Sequence, residues 1–422
     1  MRVLYVQPGS DRQGHYGIYT VNLCQALAKL GHQVCLCTNR VHPERYLNIP
    51  ALFEVLEIEG GKLTFDRFEG GPSGRRTSYT YGYLRNSYKV LNTALQLAGR
   101  RQFDVIHATG IEFMVAALLL RKHSSTIPPV VMEMSAANFS FATYAGSVPL
   151  RVYKVLQREV LKTTLGKEIK AIAVLGEFHK ERLKRQLKLS ADFPMAVIPD
   201  AGAIPLRPLS RPEARRRIGL GDYNGTLFLF FGMIRKDKGI EYLLDAVAGL
   251  PEGDFRLLIA GSPTDYTEAQ LRGMISTNAV ANKIIAHFHY IPDQEVDAYF
   301  YACDALVLPY PRIYSGGSGP LLKGAAIHAR PSIVTDVSEM GRLAKAENLG
   351  LIAEPEDPDS IAEQLKAFLQ MNPDQRDQLG ANAFAYARQN TWDAMAHRFT
   401  DLYQAAIGRP ESSTAAPGLC CP

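Results

Sequence analysis

Short apolar runs alternate with longer amphipathic stretches along most of the chain, the pattern of parallel strands covered by helices. In the first half the runs predict strands over Arg2–Val6, Val34–Thr38, Val105–Ala108, Val130–Met134, Ala171–Leu175 and Ala196–Pro199. Apolar residues three and four apart predict helices between them, over Tyr16–Leu30, Tyr81–Ala98, Glu112–Lys122, Leu150–Thr164 and Phe178–Leu187. The second half repeats the alternation, with strands predicted over Leu227–Gly232, Arg256–Ala260, Ile285–Tyr290, Ala305–Pro309 and Ser332–Thr335. Its helices fall over Ile240–Leu250, Thr267–Thr277, Asp293–Tyr301 and Pro320–Ala329, and Asp359–Leu369, Pro373–Gln389 and Ala394–Ile407 read as three closing helices. Between the halves, Ala203–Pro212 holds three prolines and no apolar period, which marks a linker. The Pro-, Ser-, Thr-, Ala- and Gly-rich residues after Gly408 predict a disordered tail.

The length of 422 residues exceeds one ordinary core and suits two domains. Hydrophobic residues at 46% and charged residues at 21% exclude a disordered or fibrous chain. The longest apolar runs, such as Val115–Leu120 and Leu227–Met233, are far shorter than the roughly 20 residues of a membrane span. Met1–Val6 enters a strand directly, without the charged and apolar regions of a signal peptide. Six cysteines lack metal-ligand spacing, and Cys35 and Cys37 alternate within a predicted strand as filler. These features predict a cytosolic protein. Its net charge of +5 is unevenly split: residues 1–204 carry 26 Lys+Arg against 16 Asp+Glu, and the remainder 21 against 26. A basic half predicts an anionic partner there. Nucleic acid is disfavoured, because no recognisable module interleaves these cations with stacking aromatics.

Three loops are candidates for chemistry. The first, Gln7 to Gly17, places Gly14 and Gly17 between a strand and a helix, where backbone amides can approach a phosphate or a sugar. Its spacing is not that of a dinucleotide fingerprint, and a plain strand-to-helix turn is the alternative. In the second, Gly232 is followed by Arg235 and Lys238 at the end of a strand, where a forked guanidinium and a point charge could clamp a diphosphate. A solvated charge run is its alternative. The third, Ser315-Gly316-Gly317-Ser318-Gly319 before Pro320 and Leu321, forms a nest of backbone donors at a helix start, or else a flexible hinge. Asp357 and Asp359 mimic a metal pair, but they sit at a helix start, where capping explains them.

Taken in order, these loops resemble those of the retaining, nucleotide-sugar-dependent glycosyltransferases of family 4 over about residues 1–408. Phe103-Asp104-Val105-Ile106-His107, Val197-Ile198-Pro199-Asp200, Cys303-Asp304-Ala305 and Arg330-Pro331-Ser332 strengthen the resemblance. It implies an α/β protein of the GT-B architecture, with two Rossmann-like domains facing across a cleft. Residues 1–204 would form the acceptor domain and 205–390 the nucleotide-sugar domain. Residues 391–408 would form a helix crossing back to the first domain, and 409–422 the tail. It further implies that Arg235 and Lys238 stabilise the leaving diphosphate without a metal or other cofactor. Gly14, Gly17, Gly232, Ser315, Gly316, Gly317, Ser318, Gly319, Leu321 and Lys323 would bind the donor. His107 matches the first histidine of the family's His-x-His pair, whose second position is Thr109 here, and is implied as a catalytic contact. The family's two glutamates are replaced by Ser315 and Lys323, and a lysine cannot accept a hydrogen bond from ribose.

The implied activity is transfer of a sugar from a nucleotide-sugar donor to a glycan or lipid-linked acceptor. A catalytically silent binding protein and another GT-B enzyme, such as an epimerase, are the alternatives. Residues 140–190 carry eleven Lys+Arg against four acids, interspersed with Val148, Leu150, Val152, Val155 and Leu156. One reading docks this helix on an anionic, cytosolic membrane face; the other packs its apolar side onto the domain's own sheet.

Overall fold

The computed structural model describes residues 1–10, 15–47, 49–58, 76–125, 127–144, 146–205 and 207–408. Two parallel sheets dominate it. The first contains β1 (Arg2–Gln7), β2 (Gln33–Thr38), β3 (Glu54–Glu57), β4 (Val105–Ala108), β5 (Val130–Glu133), β6 (Ile169–Val174) and β7 (Met195–Val197). Its order is β3-β2-β1-β4-β5-β6-β7. The second contains β8 (Thr226–Phe231), β9 (Phe255–Ala260), β10 (Ile284–His287), β11 (Ala305–Leu308), β12 (Ser332–Thr335) and β13 (Gly350–Ala353). Its order is β10-β9-β8-β11-β12-β13. Both sheets are Rossmann-like, as the alternation predicts, and their pairing is the one that the GT-B resemblance implies.

Helices cover both faces of each sheet, which is why the strands read as unbroken apolar runs. Along β1, Val3 and Tyr5 enter one core while Leu4 and Val6 enter the other. Along β8, Leu227 and Leu229 face one side and Phe228 and Phe230 the opposite one. The closing helix Trp392–Ala406 belongs to the first sheet rather than the second. Its Met395, Ala396, Phe399, Leu402 and Tyr403 are buried with Val3, Tyr5, Val131 and Ala171.

The sequence pattern misses four elements. Strand β3 is a short edge whose ends are both glutamate, and β13, the edge of the second sheet, opens on Gly350 and holds only Leu351 and Ile352 as bulky apolar residues. Helix Arg211–Arg217 enters the predicted linker; it is almost wholly polar and is held by buried Ala214 and Arg215. Helix Ser338–Ala346 begins at a non-glycine residue with φ 53°. The predicted helix Pro320–Ala329 is instead a π-wound segment, Pro320–Ala325, followed by a 3-10 turn, Ala326–His328. Asp357 caps helix Pro358–Gln370, its Oδ1 accepting from the Ser360 amide at 3.0 Å. The predicted tail after Gly408 lies outside the described residues.

Candidate active site

In each sheet the strand order reverses beside the first strand, between β1 and β4 and between β8 and β11. Loops that leave the carboxyl ends of strands at such a point diverge, and the crevice between them is where open α/β sheets take ligands. All three glycine-containing loops leave strands at these points.

The loop after β8 is packed against the loop after β11. Gly239 has φ 67°, and a Cβ there would lie 2.0 Å from the Pro309 carbonyl oxygen. Gly239→Ala is therefore expected to push the two loops apart. The backbone conformation alone costs about 1–3 kcal/mol, and the clash adds to it. A lowered Tm together with weaker nucleoside diphosphate binding is the expected result; an unchanged protein would mean that the loops do not need this contact. Gly232, with φ 108°, turns the chain out of β8 toward Pro320.

Lys238 is buried at 8% exposure. Its Nζ donates to the Tyr310 hydroxyl at 2.6 Å and lies 5.0 Å from the Tyr314 ring centroid. Burial, reinforced by the charge of Arg235 and partly opposed by Asp237, lowers its pKa to about 7. Arg235 is half-exposed and forks onto Asp237, with Nε donating at 2.8 Å and Nη2 at 3.0 Å. Tyr314 in turn donates its hydroxyl hydrogen to the Gly317 carbonyl. Tyr310 and Tyr314 thus tie Lys238 to the glycine-rich loop.

Within that loop, Gly319 has open space where a Cβ would stand, and Gly316 lies against Tyr314. Gly317 is pressed on the first domain, where a Cβ would overlap Leu175 Cδ2. Ser318 is buried, and its Oγ accepts from the Leu321 amide at 3.3 Å. Ser315 is half-buried at the mouth of the loop. The Leu321 side chain is a core residue at 2% exposure, so only its backbone is available to a ligand.

Gly14 lies outside the described residues. Gly17 sits inside helix His15–Lys29, where the Tyr46 hydroxyl occupies the space a Cβ would need. Its missing side chain therefore serves packing against Tyr46. His107 is fully buried between Tyr5 and Phe399, its Nδ1 sharing a 2.7 Å hydrogen bond with the Tyr403 hydroxyl. Its Nε2 lies 3.5 Å from Glu133. The predicted direct contact between His107 and a sugar has no exposed surface to act through here. Glu133, at the end of β5, is the group this histidine serves. Burial pushes that carboxyl up, but His107 and the hydroxyls of Ser135 and Thr109 outweigh burial and hold it below the usual range.

Lys323 neither points into solvent nor stands beside Arg235. Its Nζ reaches across the domain boundary to within 3.6 Å of Asp200. Burial lowers its pKa, partly offset by Asp200. Glu339 makes a second tie, its Oε2 accepting from the Phe178 amide at 2.8 Å at the start of helix Glu177–Leu187. Glu339 and Tyr310 carry no motif. The one sequence signal for Glu339 is an acid at the start of a helix that itself escaped the pattern.

Two family models match the chain: "Glycosyl transferase 4-like domain" over residues 16–200 and "Glycosyl transferases group 1" over residues 225–371. A D-inositol 3-phosphate glycosyltransferase from Xylanimonas cellulosilytica is 23% identical, covering 96% of this chain and 94% of that one. A GDP-mannose:cellobiosyl-diphosphopolyprenol alpha-mannosyltransferase from Xanthomonas oryzae is 25% identical, covering 84% and 90%. Among solved structures, a sucrose-phosphate synthase from Thermosynechococcus elongatus superposes with a TM-score of 0.74 at 18% identity, covering 96% and 99%. Anabaena HepE in complex with UDP superposes with a TM-score of 0.67 at 15% identity, covering 95% and 98%.

Proposed function

This chain belongs to the group 1 glycosyltransferases of the family 4 type, and from that premise we propose that it moves a sugar, with retention and without a metal, from a nucleotide-sugar donor to a glycan or lipid-linked acceptor. The observation that carries the reading is the meeting of Arg235, Lys238 and the Ser315–Gly319 loop at the second sheet's switch point. A leaving diphosphate gathers negative charge as the bond from the anomeric carbon to its phosphate oxygen breaks. Fixed cations and backbone amides aimed at that charge lower the barrier. Arg235 would exchange its fork on Asp237 for phosphate oxygens, and Lys238 would take up a proton on binding. The UDP named for HepE and the GDP-mannose named for the Xanthomonas relative support a nucleotide-linked donor.

The test is a transfer assay across nucleotide sugars, read as released nucleoside diphosphate and repeated in excess chelator. Sugar-dependent release that survives the chelator is expected. Complete, metal-reversible loss would overturn the cationic clamp. A second reading, a binding protein without turnover, draws on Lys323, which holds Asp200 at the position where the family resemblance implies a ribose-binding acid. Tight nucleotide binding with no release from any donor would select it.

No described helix is long and apolar enough to cross a membrane. Of helix Val148–Lys162 only Gln157 and Leu161 are buried, while Val148 is 62% exposed, Val152 45% and Leu156 54%. These three stand four residues apart, so they form one outward stripe, next to exposed Leu150. Packing on the domain's own sheet therefore does not account for them. The basic surroundings fit an anionic phospholipid face, with each engaged cation contributing about 1 kcal/mol. Sedimentation with phosphatidylglycerol vesicles at low salt, fading as salt rises, is the expected result. Val152→Glu with Leu156→Glu is expected to abolish it. A protein that stays in the supernatant would leave a soluble acceptor.

A further inference from the structure

A cleft of about 1160 Å³ opens between the domains. Its first-domain wall comes from the 138–143 loop and helices Val148–Lys162 and Glu177–Leu187; its second-domain wall comes from residues 312–315 and 336–338. Arg235 and Lys238 are not part of its lining, but Tyr314 and Ser315 are, so the glycine-rich loop begins in its wall. Six cations line it against two carboxylates, Glu159 and Asp336. Both carboxylates are engaged: Arg158 and Lys162 share Glu159, and Lys345 holds Asp336.

Arg182 is the unusual member. It is buried at 8% exposure, and no carboxylate among the described residues pairs with it. Its Nη2 donates to the Ala136 carbonyl at 3.0 Å and lies 3.0 Å from His179 Nδ1, while its Nε has no hydrogen-bond partner among the described residues. The guanidinium carbon rests 5.2 Å from the Phe178 ring centroid. A buried guanidinium that lacks an anion is costly, and the cost is recovered only when an anion arrives. Arg185 on the next turn is exposed and, among the described residues, makes only a 3.4 Å bond to the Glu181 carbonyl. Arg312, on the facing domain, is exposed; its amide donates to Glu356 at 3.0 Å, while its guanidinium pairs only loosely, at 3.9 Å from Glu354 and 3.8 Å from Glu356.

We infer that this cleft binds a phosphate or diphosphate group, with Arg182 as its buried anchor and Arg185 and Arg312 closing on it from the two domains. The inference deepens the transferase reading and rests on it in one respect: it makes the ligand an acceptor that carries this group, beside the donor loop. A second domain contributing Arg312 means that the site is complete only when the cleft is assembled. The shared chemistry could come from a soluble phosphomonoester or from a phosphorylated lipid.

Inorganic pyrophosphate titrated calorimetrically into the full chain is the probe. Two binding events are expected, one weakened by Lys238→Met and the other by Arg182→Gln, each about tenfold to a hundredfold, the range for losing a charge-assisted contact. Because Arg182 also braces Ala136 and His179, the double variant Arg185→Glu and Arg312→Glu, at exposed positions, is expected to weaken the same event at least about tenfold with Tm unchanged. Competition by glycerol 3-phosphate would identify a soluble source, and competition by monomeric dihexanoyl phosphatidic acid a lipid one; either supports the site. A single event that answers to Lys238→Met alone, or a second one indifferent to both Arg182→Gln and the double variant, overturns it. Persistence of the Arg182 event without the Lys238 event would instead remove the donor assignment and leave this site standing.

Discussion

Replacing Lys238 by methionine is expected to weaken nucleoside diphosphate binding by about tenfold to a hundredfold, which is what one charge-assisted contact of about 1.5–3 kcal/mol represents. Methionine fills the space between the Tyr310 and Tyr314 rings, so the loss reports charge rather than a cavity. The same lysine sets a pH dependence. In the free protein its pKa is lowered to about 7 by burial and by Arg235. A bound diphosphate favours the ammonium and raises that value. Below about pH 7 the lysine is already charged, and affinity is flat with respect to this group. Above it, binding must take up a proton, and affinity falls by up to about tenfold per pH unit. The variant is expected to lose this slope along with the affinity.

Stability moves the other way. Between the lowered folded pKa and the ordinary value of an unfolded lysine, the unfolded chain binds more protons, so Lys238 makes stability rise with pH over that window. Its cost is fully present below about pH 7 and vanishes above the unfolded pKa. Lys238→Met is therefore expected to hold or raise Tm at neutral pH while it loses ligand. Calorimetry of binding at several pH values, with a melting curve at each, reads both. Unchanged affinity with an unchanged slope would remove Lys238 from the donor site.

Asp304→Ala is expected to destabilise the second domain by about 3–5 kcal/mol, the penalty for stranding a buried ion. Asp304 Oδ2 accepts from Arg215 Nη2 at 2.8 Å and from the Leu227 amide at 2.8 Å, and Oδ1 lies 3.1 Å from Arg211. Arg215, at 2% exposure, also donates to the carbonyls of Ala302 at 3.1 Å and Tyr223 at 2.6 Å. This network pins helix Arg211–Arg217, the start of β8 and the start of β11 to one another. A double variant, Arg215→Met with Asp304→Leu, removes both charges and is expected to recover much of the loss. Denaturant unfolding followed by circular dichroism separates the cases, whereas tryptophan fluorescence would not, because Trp392 packs on the first-domain core, away from this network. A single variant no weaker than the double would show that the ion pair is not what holds the three elements.

The sequence determined the two-sheet plan, because a strand covered on both faces must be apolar at every position and a covering helix on one stripe only. The runs over β1, β4, β8 and β11 carry that requirement openly, and the closing helix shows its stripe from Met395 to Tyr403. It also exposed the glycine-rich loop and the cations Arg235 and Lys238, since tight turns and phosphate approach need those residue types at short spacing. Elements without a stripe stayed hidden. Helix Arg211–Arg217 is held by one buried guanidinium rather than by an apolar face, and the edge strands β3 and β13 hold only two bulky apolar residues each.

Partners distant along the chain were decided by the tertiary structure alone. His107 and Tyr403 are 296 residues apart, and only the return of the last helix to the first sheet turns that histidine from a cleft residue into a buried one. Lys323 finds Asp200, and Glu339 finds the Phe178 amide, because two separately folded sheets face each other. Arg182 looks like any surface cation on a basic helix, yet packing against Phe178 and Ala136 buries it without an acid. Local pattern reports what each segment must do with water. Which charged groups lose that water, and which partner replaces it, depends on contacts through space that no local pattern encodes.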